Sequence, residues 1–291
     1  DPACGSGAFP MGILQKMVHI LFKVDPNNTG WKQRQITRVE VAIAQLEELE
    51  DAEYRERSIQ DLQTQIKDIE EAFINNELDY GRKLYLIENC IYGVDIQPIA
   101  IQISKLRFFI SLVVDQRVVP NKEINFGIRP LPNLETKFVA ANTLIGIEKP
   151  QGQLSLFDTS EDIKKLEVNL KKVRHRLFSS KSPSHKRKLR EEDKALREQI
   201  AVVLQERGWK ADTANQLANW NPYNLNDSAV FFDPEWMFDI SDGFDMVIGN
   251  PPYVRQEQIK ELKPAFKQNY QCFTGTADLF VYFFERGYQL L

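Results

Sequence analysis

Three short loops carry residue types that could do chemistry together. The stretch Gly249-Asn250-Pro251-Pro252-Tyr253 joins an amide, two prolines and a phenol ring. The prolines lock φ and remove two N–H donors, so this stiff backbone presents carbonyls. Asn250 adds an amide oxygen and Tyr253 a flat ring. Acceptors converging beside an aromatic plane suit a planar group bearing an NH₂, although a plain proline turn uses the same residues. In Gly93-Val94-Asp95-Ile96 a short apolar run ends in a carboxylate. An ionised Asp there can accept two hydrogen bonds from the adjacent hydroxyls of a ribose, but many strands end in Asp. The third loop, Asp1-Pro2-Ala3-Cys4-Gly5-Ser6-Gly7, leads into an apolar run at Met11, Ile13, Leu14, Met17 and Val18. Gly5 and Gly7 permit a tight turn and close approach of backbone to a ligand. It is neither a GxGxxG nor a phosphate loop, and alone it reads equally as a simple turn.

Positioning these loops requires strands that end where they begin. Ile91–Val94 reads as a short strand followed by a helix over about Pro98–Leu112; Lys137–Ile145 and Phe244–Gly249 read as two more strands. Short β-rich runs alternating with helices predict an α/β fold with a doubly wound, mostly parallel sheet. Ligands of such sheets sit at the carboxyl ends of the strands, where the three loops fall.

The rest of the 291 residues sets limits. Hydrophobic residues at 43% and charged residues at 27% are ordinary for a globular chain, and a net charge of −4 advertises no global affinity for nucleic acid. No uncharged run approaches the ~18 residues of a membrane span. Cys4, Cys90 and Cys272 stand far apart, with no CxxC and only three histidines. That argues against a structural zinc site or a disulfide framework; no metal is expected, and a reducing cytoplasm is.

The small net charge hides two opposite blocks. Glu40–Asp79 holds 13 acidic residues against three basic ones, and Lys164–Arg190 holds 11 basic residues against one acidic. In the acidic block, apolar residues at Ile36, Val39, Ile43 and Leu46, then at Ile59, Leu62, Ile66, Ile69 and Phe73, keep helical spacing. Either one long helix with a phase slip or two helices fits an insertion over about 31–80. The basic block predicts a helical hairpin over about 160–207, turning at Ser179–Ser184, where Pro183 stops propagation. Its cations, among them Lys171, Lys172, Arg174, Lys186, Arg187 and Lys188, belong either to a solvated arm or to contacts with a phosphate backbone.

Taken together, the loops resemble a known family. Asp1-Pro2-Ala3-Cys4-Gly5-Ser6-Gly7 is similar to the S-adenosylmethionine motif of N6-adenine DNA methyltransferases, and Asn250-Pro251-Pro252-Tyr253 to their catalytic motif. Cofactor loop before catalytic loop is the order of the gamma class, and the nearest resemblance is to type IIG restriction-modification enzymes and related phage-defence methyltransferases. The resemblance implies a Rossmann-like fold and cofactor contacts from Asp1, Ala3, Gly5, Gly7, Asp95, Ile96 and Asn142, the last in Ala140-Ala141-Asn142-Thr143-Leu144-Ile145. It implies catalysis by Asn250, Pro251, Pro252 and Tyr253 on an adenine flipped out of double-stranded DNA. Ala277-Asp278-Leu279-Phe280 resembles the helix that follows. Asn221-Pro222-Tyr223-Asn224, with one proline and no preceding strand, is expected in the loop leading to the active site.

The family also has a strand immediately before Asp1, further strands after the last helix, and a target-recognition region. Their absence from this stretch predicts a core cut from a longer protein and inactive by itself, with its sheet re-paired, completed by another chain or left open. Two alternatives stay open: methylation of another planar amino group, on protein glutamine or RNA guanine, and a non-catalytic helical interaction module.

Overall fold

The computed structural model describes residues 1–47, 78–116, 118–123, 125–128, 132–148, 161–180 and 182–291, with scattered positions between 56 and 67. Packing divides the chain into two compact units. One comprises Asp1–Met11, Ile91–Phe109 and Pro130–Leu291, the other Gly12–Cys90 and Ile110–Arg129.

The second unit is helical. It contains most of α1 (Ala8–Val24), all of α2 (Thr29–Glu47) and α3 (Leu78–Asn89). Asp25 organises it: its carboxylate accepts from Trp31 N at 2.9 Å and its carbonyl from the buried Arg82 at 2.6 Å. The first apolar set of the acidic block lies on α2, with Val39 buried, whereas the set from Ile59 to Phe73 falls largely outside the described residues.

The first unit holds the sheet. Strands β1 (Gly93–Asp95) and β2 (Phe138–Ala140) pair in parallel, Val94 opposite Val139, with α4 (Pro98–Val113) in the connection between them. Gly93 sets how closely they approach, since a Cβ there would lie 2.6 Å from Phe138 and 3.0 Å from Cys4 Sγ. Asp1–Cys4 runs along the other side of β1, with Val94 N donating to Asp1 O and Cys4 N to Val94 O, each at 2.9 Å. Beyond β2 an isolated parallel bridge joins Ala141 to Ala229.

The expected larger sheet is thus reduced to two strands among the described residues, and Phe244–Gly249 is not a strand. Its apolar pattern is that of a strand, but a strand also needs a neighbour offering a run of N–H and C=O groups. This segment is held at its ends instead: Phe244 N donates to Leu290 O at 2.8 Å, and Gly249 closes on Asp1.

The basic block forms the hairpin α5 (Glu161–Ser179) and α6 (Pro183–Glu206), followed by α7 (Ala211–Asn219). Pro183 starts α6 at a position that needs no N–H donor. Gly208 (φ +89°) ends it: Gly208 N donates to Gln205 O at 3.0 Å and Trp209 N to Leu204 O at 3.1 Å, with Leu204 and Trp209 buried together in a Schellman motif. The hairpin is not a solvated arm. Ile163, Leu170, Ile200 and Leu204 share one core with Val94, Val139 and Ala141 of the sheet and with Trp236, Met237 and Phe238 of α8 (Pro234–Phe238).

Arg174, grouped above with phosphate contacts, lies inside this core. It is 3% exposed and donates to Asp193 Oδ1 at 3.1 Å, Trp236 O at 2.6 Å and Asp239 Oδ1 at 3.0 Å. Arg197 donates to the other Asp193 oxygen at 2.8 Å. A charge in the core persists only with such partners, so Arg174 is withdrawn from any surface role.

A smaller core of Leu144, Ile259, Phe266, Tyr270 and Tyr282 joins α9 (Lys263–Asn269) and α10 (Leu279–Gln289) to the stretch after β2.

Candidate active site

The glycine loop meets the end of β1, and the proline loop meets the glycine loop at Asp1. Asp95, its last residue, accepts from Gly5 N through Oδ2 and from Gln97 N through Oδ1, both at 2.9 Å. The expected ribose acid therefore also fastens the glycine loop. Each carboxylate oxygen retains a further lone pair for a ligand. Gly5 (φ +52°) and Gly7 (φ +82°) both adopt backbone that favours glycine. A Cβ on Gly5 would face open space, while one on Gly7 would come within 2.4 Å of Ser104 Oγ. The two glycines thus have different tasks: Gly7 allows the loop to close on α4, and Gly5 leaves room in front of it.

Asp1 stands where two loops meet. Its Oδ1 accepts from Ala3 N at 3.0 Å, and its Oδ2 is buried with no partner among the described residues. A Cβ on Gly249 would lie 2.6 Å from Asp1 Oδ1 and 3.4 Å from Pro2. Only a glycine lets the proline loop start this close to the glycine loop. The stretch after β2 adds a third fastening, because Thr143 Oγ1 donates to Pro2 O at 2.7 Å. Asn142 itself lies past the end of β2, its Oδ1 accepting from Leu144 N at 3.2 Å. Arg286 of α10 holds the same stretch by donating from Nε to Thr143 O at 2.8 Å.

Cys4 contributes packing rather than nucleophilicity. Burial, with Asp95 adding to it, pushes its thiol up to about 12, so it stays protonated at neutral pH.

The structure therefore brings Asp1, Gly5, Asp95, Thr143 and Gly249 together. Asn250, Pro252 and Tyr253 are exposed, as is Ile96 beside Asp95, and Ala3 and Pro251 are half-buried. Among the described residues no hydrogen bond joins Asn250 or Tyr253 to the glycine loop. In Asn221–Asn224, Tyr223 packs on the Val173, Leu177 and Leu189 cluster of the hairpin under Arg190, 4.9 Å from its ring centre, while Asn221, Pro222 and Asn224 line a cavity with Pro98 and Gln102 of α4 and Ala140 of β2. Sequence reasoning passed over Thr143 and Arg286; for Thr143 the only signal was its place next to Asn142.

The profile of the Eco57I restriction-modification methylase family matches residues 89–291, more than half of the chain. The chain belongs to that family. The matched region of this Eco57I-family chain includes Asp95, Asn142 and Asn250–Tyr253, while Asp1–Gly7 lies before it. It is similar to a putative type II restriction enzyme and methyltransferase of Methanocaldococcus jannaschii, 39% identical over 85 residues, 28% of this chain and 7% of that protein. It is also similar to the type II methyltransferase M.BstVI of Geobacillus stearothermophilus, 42% identical over 59 residues, 19% of this chain and 10% of that protein. The matched stretches thus span a tenth or less of these relatives. No solved structure matches the chain.

Proposed function

We propose that this chain carries the active site of an S-adenosylmethionine-dependent, adenine-specific DNA methyltransferase, part of a restriction-modification or phage-defence enzyme. The observation that carries the reading is the contact of Gly249 with Asp1 and Pro2. It sets the start of the Asn250–Tyr253 loop against the glycine loop that Asp95 fastens, which supports the reading that acceptor groups for an amine and an acid for a ribose serve one site. Family membership and the type II relatives support DNA as the substrate. A Rossmann-like sheet in the whole protein fits the parallel β1–β2 pair with its helical connection, extended by Asp1–Cys4 on one side.

The residues present fit the cofactor. Gly5 leaves open space, Asp95 offers lone pairs to a ribose, and the unpartnered Asp1 Oδ2 is a buried acceptor left for a donor such as an ammonium group. Ala3, Gly7, Ile96 and Asn142 complete the set that would hold it. When bound, S-adenosylmethionine supplies a methyl group already activated by its sulfonium, so the chain need only deliver the nucleophile.

Adenine N6 is a weak nucleophile because its lone pair is delocalised into the ring. The Asn250 side-chain oxygen and the Pro251 carbonyl accept hydrogen bonds from its two N–H groups and draw the nitrogen toward a tetrahedral shape, which localises that pair. Pro251 and Pro252 make these acceptors stiff, so little reorganisation accompanies the reaction. A base inside the duplex cannot reach the cleft; it is flipped out, and the exposed Tyr253 ring stacks on it. A DNA target fits the cytoplasm.

The test is methylation by the full-length protein. With S-adenosylmethionine and unmethylated mixed-sequence DNA, nucleoside analysis should find N6-methyladenine. N4-methylcytosine, or methyl groups found only on protein or RNA, would replace the adenine assignment.

A further inference from the structure

We propose that Asp278 and Phe280 are positioning residues for Tyr253, holding its ring as a fixed wall for the incoming base. The inference rests on reading Asn250–Tyr253 as the loop that receives that base. Tyr253 is 76% exposed, and a ring so placed samples several rotamers unless something braces it. Stacking needs one plane, presented before the base arrives.

The brace is the start of α10. The Phe280 ring lies 5.5 Å from that of Tyr253, with the planes inclined by 44°, within the range of offset aromatic pairs. Phe284, one turn further along the helix, meets Phe280 nearly edge-on at 6.3 Å and 79°. The backbone just after Tyr253 is tied to the same helix end twice. Leu279 N donates to Val254 O, and Gln256 N to Asp278 Oδ1, each at 2.9 Å. Lys263 Nζ adds a third tie by donating to Gln256 Oε1 at 2.5 Å and Gly275 O at 2.7 Å.

Asp278 is the informative member. It stands at the N-cap of α10, where an Asp ordinarily accepts from the first turn of its own helix. Here its side chain makes no such cap bond and accepts from the loop instead. A carboxylate placed to stabilise the helix alone would be turned the other way. Ring, loop exit and helix start are thereby joined, and none of these contacts involves Asp1–Gly7, Asp95 or Asn142.

A double-mutant cycle in the full-length protein separates positioning from mere support of the fold. With labelled S-adenosylmethionine and unmethylated mixed-sequence DNA, Phe280→Ala and Asp278→Ala should each lower kcat/KM for DNA about tenfold, within the coupling range of residues in contact. Cofactor affinity, read by calorimetry, should not move. Phe280→Tyr, which keeps a ring, and Asp278→Asn, which keeps an acceptor, should restore the rate. In a Tyr253→Ala background neither alanine should cost anything further. Phe280→Leu gives a second cycle should Phe280→Ala fail to fold. Effects that add to that of Tyr253→Ala, or losses that track cofactor affinity, would overturn the positioning role. Full activity of Tyr253→Ala would instead overturn the base-receiving loop itself, and this inference with it.

Discussion

The hairpin interior and the loop cluster are both polar, and they treat polarity in opposite ways. Between α5 and α6, Asp193 is fully buried and gives one oxygen to Arg174 and the other to Arg197. Arg197 also donates to Ala218 O at 2.6 Å and to Trp220 O, and Arg174 to Trp236 O. Most of these groups are committed to each other, although Arg174 Nη2 is buried with no partner among the described residues. In the loop cluster, Asn250 and Tyr253 are exposed, and Asp1 keeps a buried oxygen without a partner among the described residues. A fold consumes its charges where it needs rigidity and leaves acceptors open where something else must bind. Exposure, rather than charge, separates Asn250 and Tyr253 from the buried ions of the hairpin.

The comparison breaks most sharply at Asp193. Asp193→Ala strands two buried guanidinium groups and should destabilise the full-length protein by ~3–5 kcal/mol. Urea unfolding measures this, and a loss near zero would mean that the cluster is not internal. Asn250→Ala should show the reverse profile: a turnover lower by roughly 10²–10³, the scale for one lost preorganised dipole, with the unfolding midpoint and cofactor affinity nearly unchanged. Asp95→Ala lies between the two, because its carboxylate fastens Gly5 and is also the proposed ribose acid. Calorimetry on that variant should find S-adenosylmethionine binding weakened by ~1–3 kcal/mol, and unchanged affinity would remove Asp95 from the site. The smallest effect is expected from Lys188→Gln on the exposed face of α6, where unfolding free energy should stay within ~0.5 kcal/mol of the parent. A larger loss would show that this outer cation, like Arg174, is part of the fold.

The loops were legible because their chemistry is local. Asp95 at a strand end, glycines before a helix and the stiff Asn-Pro-Pro-Tyr turn declare themselves within a few residues. Helices were legible for the same reason: the turn at Pro183 and the apolar stripes of α5 and α6 lie where periodicity put them. What could not be read is what depends on distant partners. Phe244–Gly249 has a strand's composition but no ladder, since pairing is a property of a neighbour. Arg174 looked like its exposed neighbours in sequence, and only the approach of Asp193 and Asp239 assigns it to the core. Thr143 and Arg286 act through carbonyls of Pro2, Phe232 and Thr143 itself, and backbone acceptors leave no trace in side-chain patterns.

The route from Ile145 to Phe232 has a property of its own. The chain departs from the sheet after Ile145, builds the hairpin, and returns so closely that Phe232 N donates to Ile145 O at 2.7 Å. Because the ends of this excursion meet, it could lengthen or acquire new segments with little strain on the loops around Asp95, as loop-closure entropy grows only slowly with length. Shortening is another matter. Ile163, Leu170, Ile200 and Leu204 share one core with Val94 and Val139, so trimming the excursion to a simple turn would remove apolar surface from that core. Such an arrangement works as a ratchet in the history of a protein: additions at this point are cheap to accept, and once they share the core they are hard to lose.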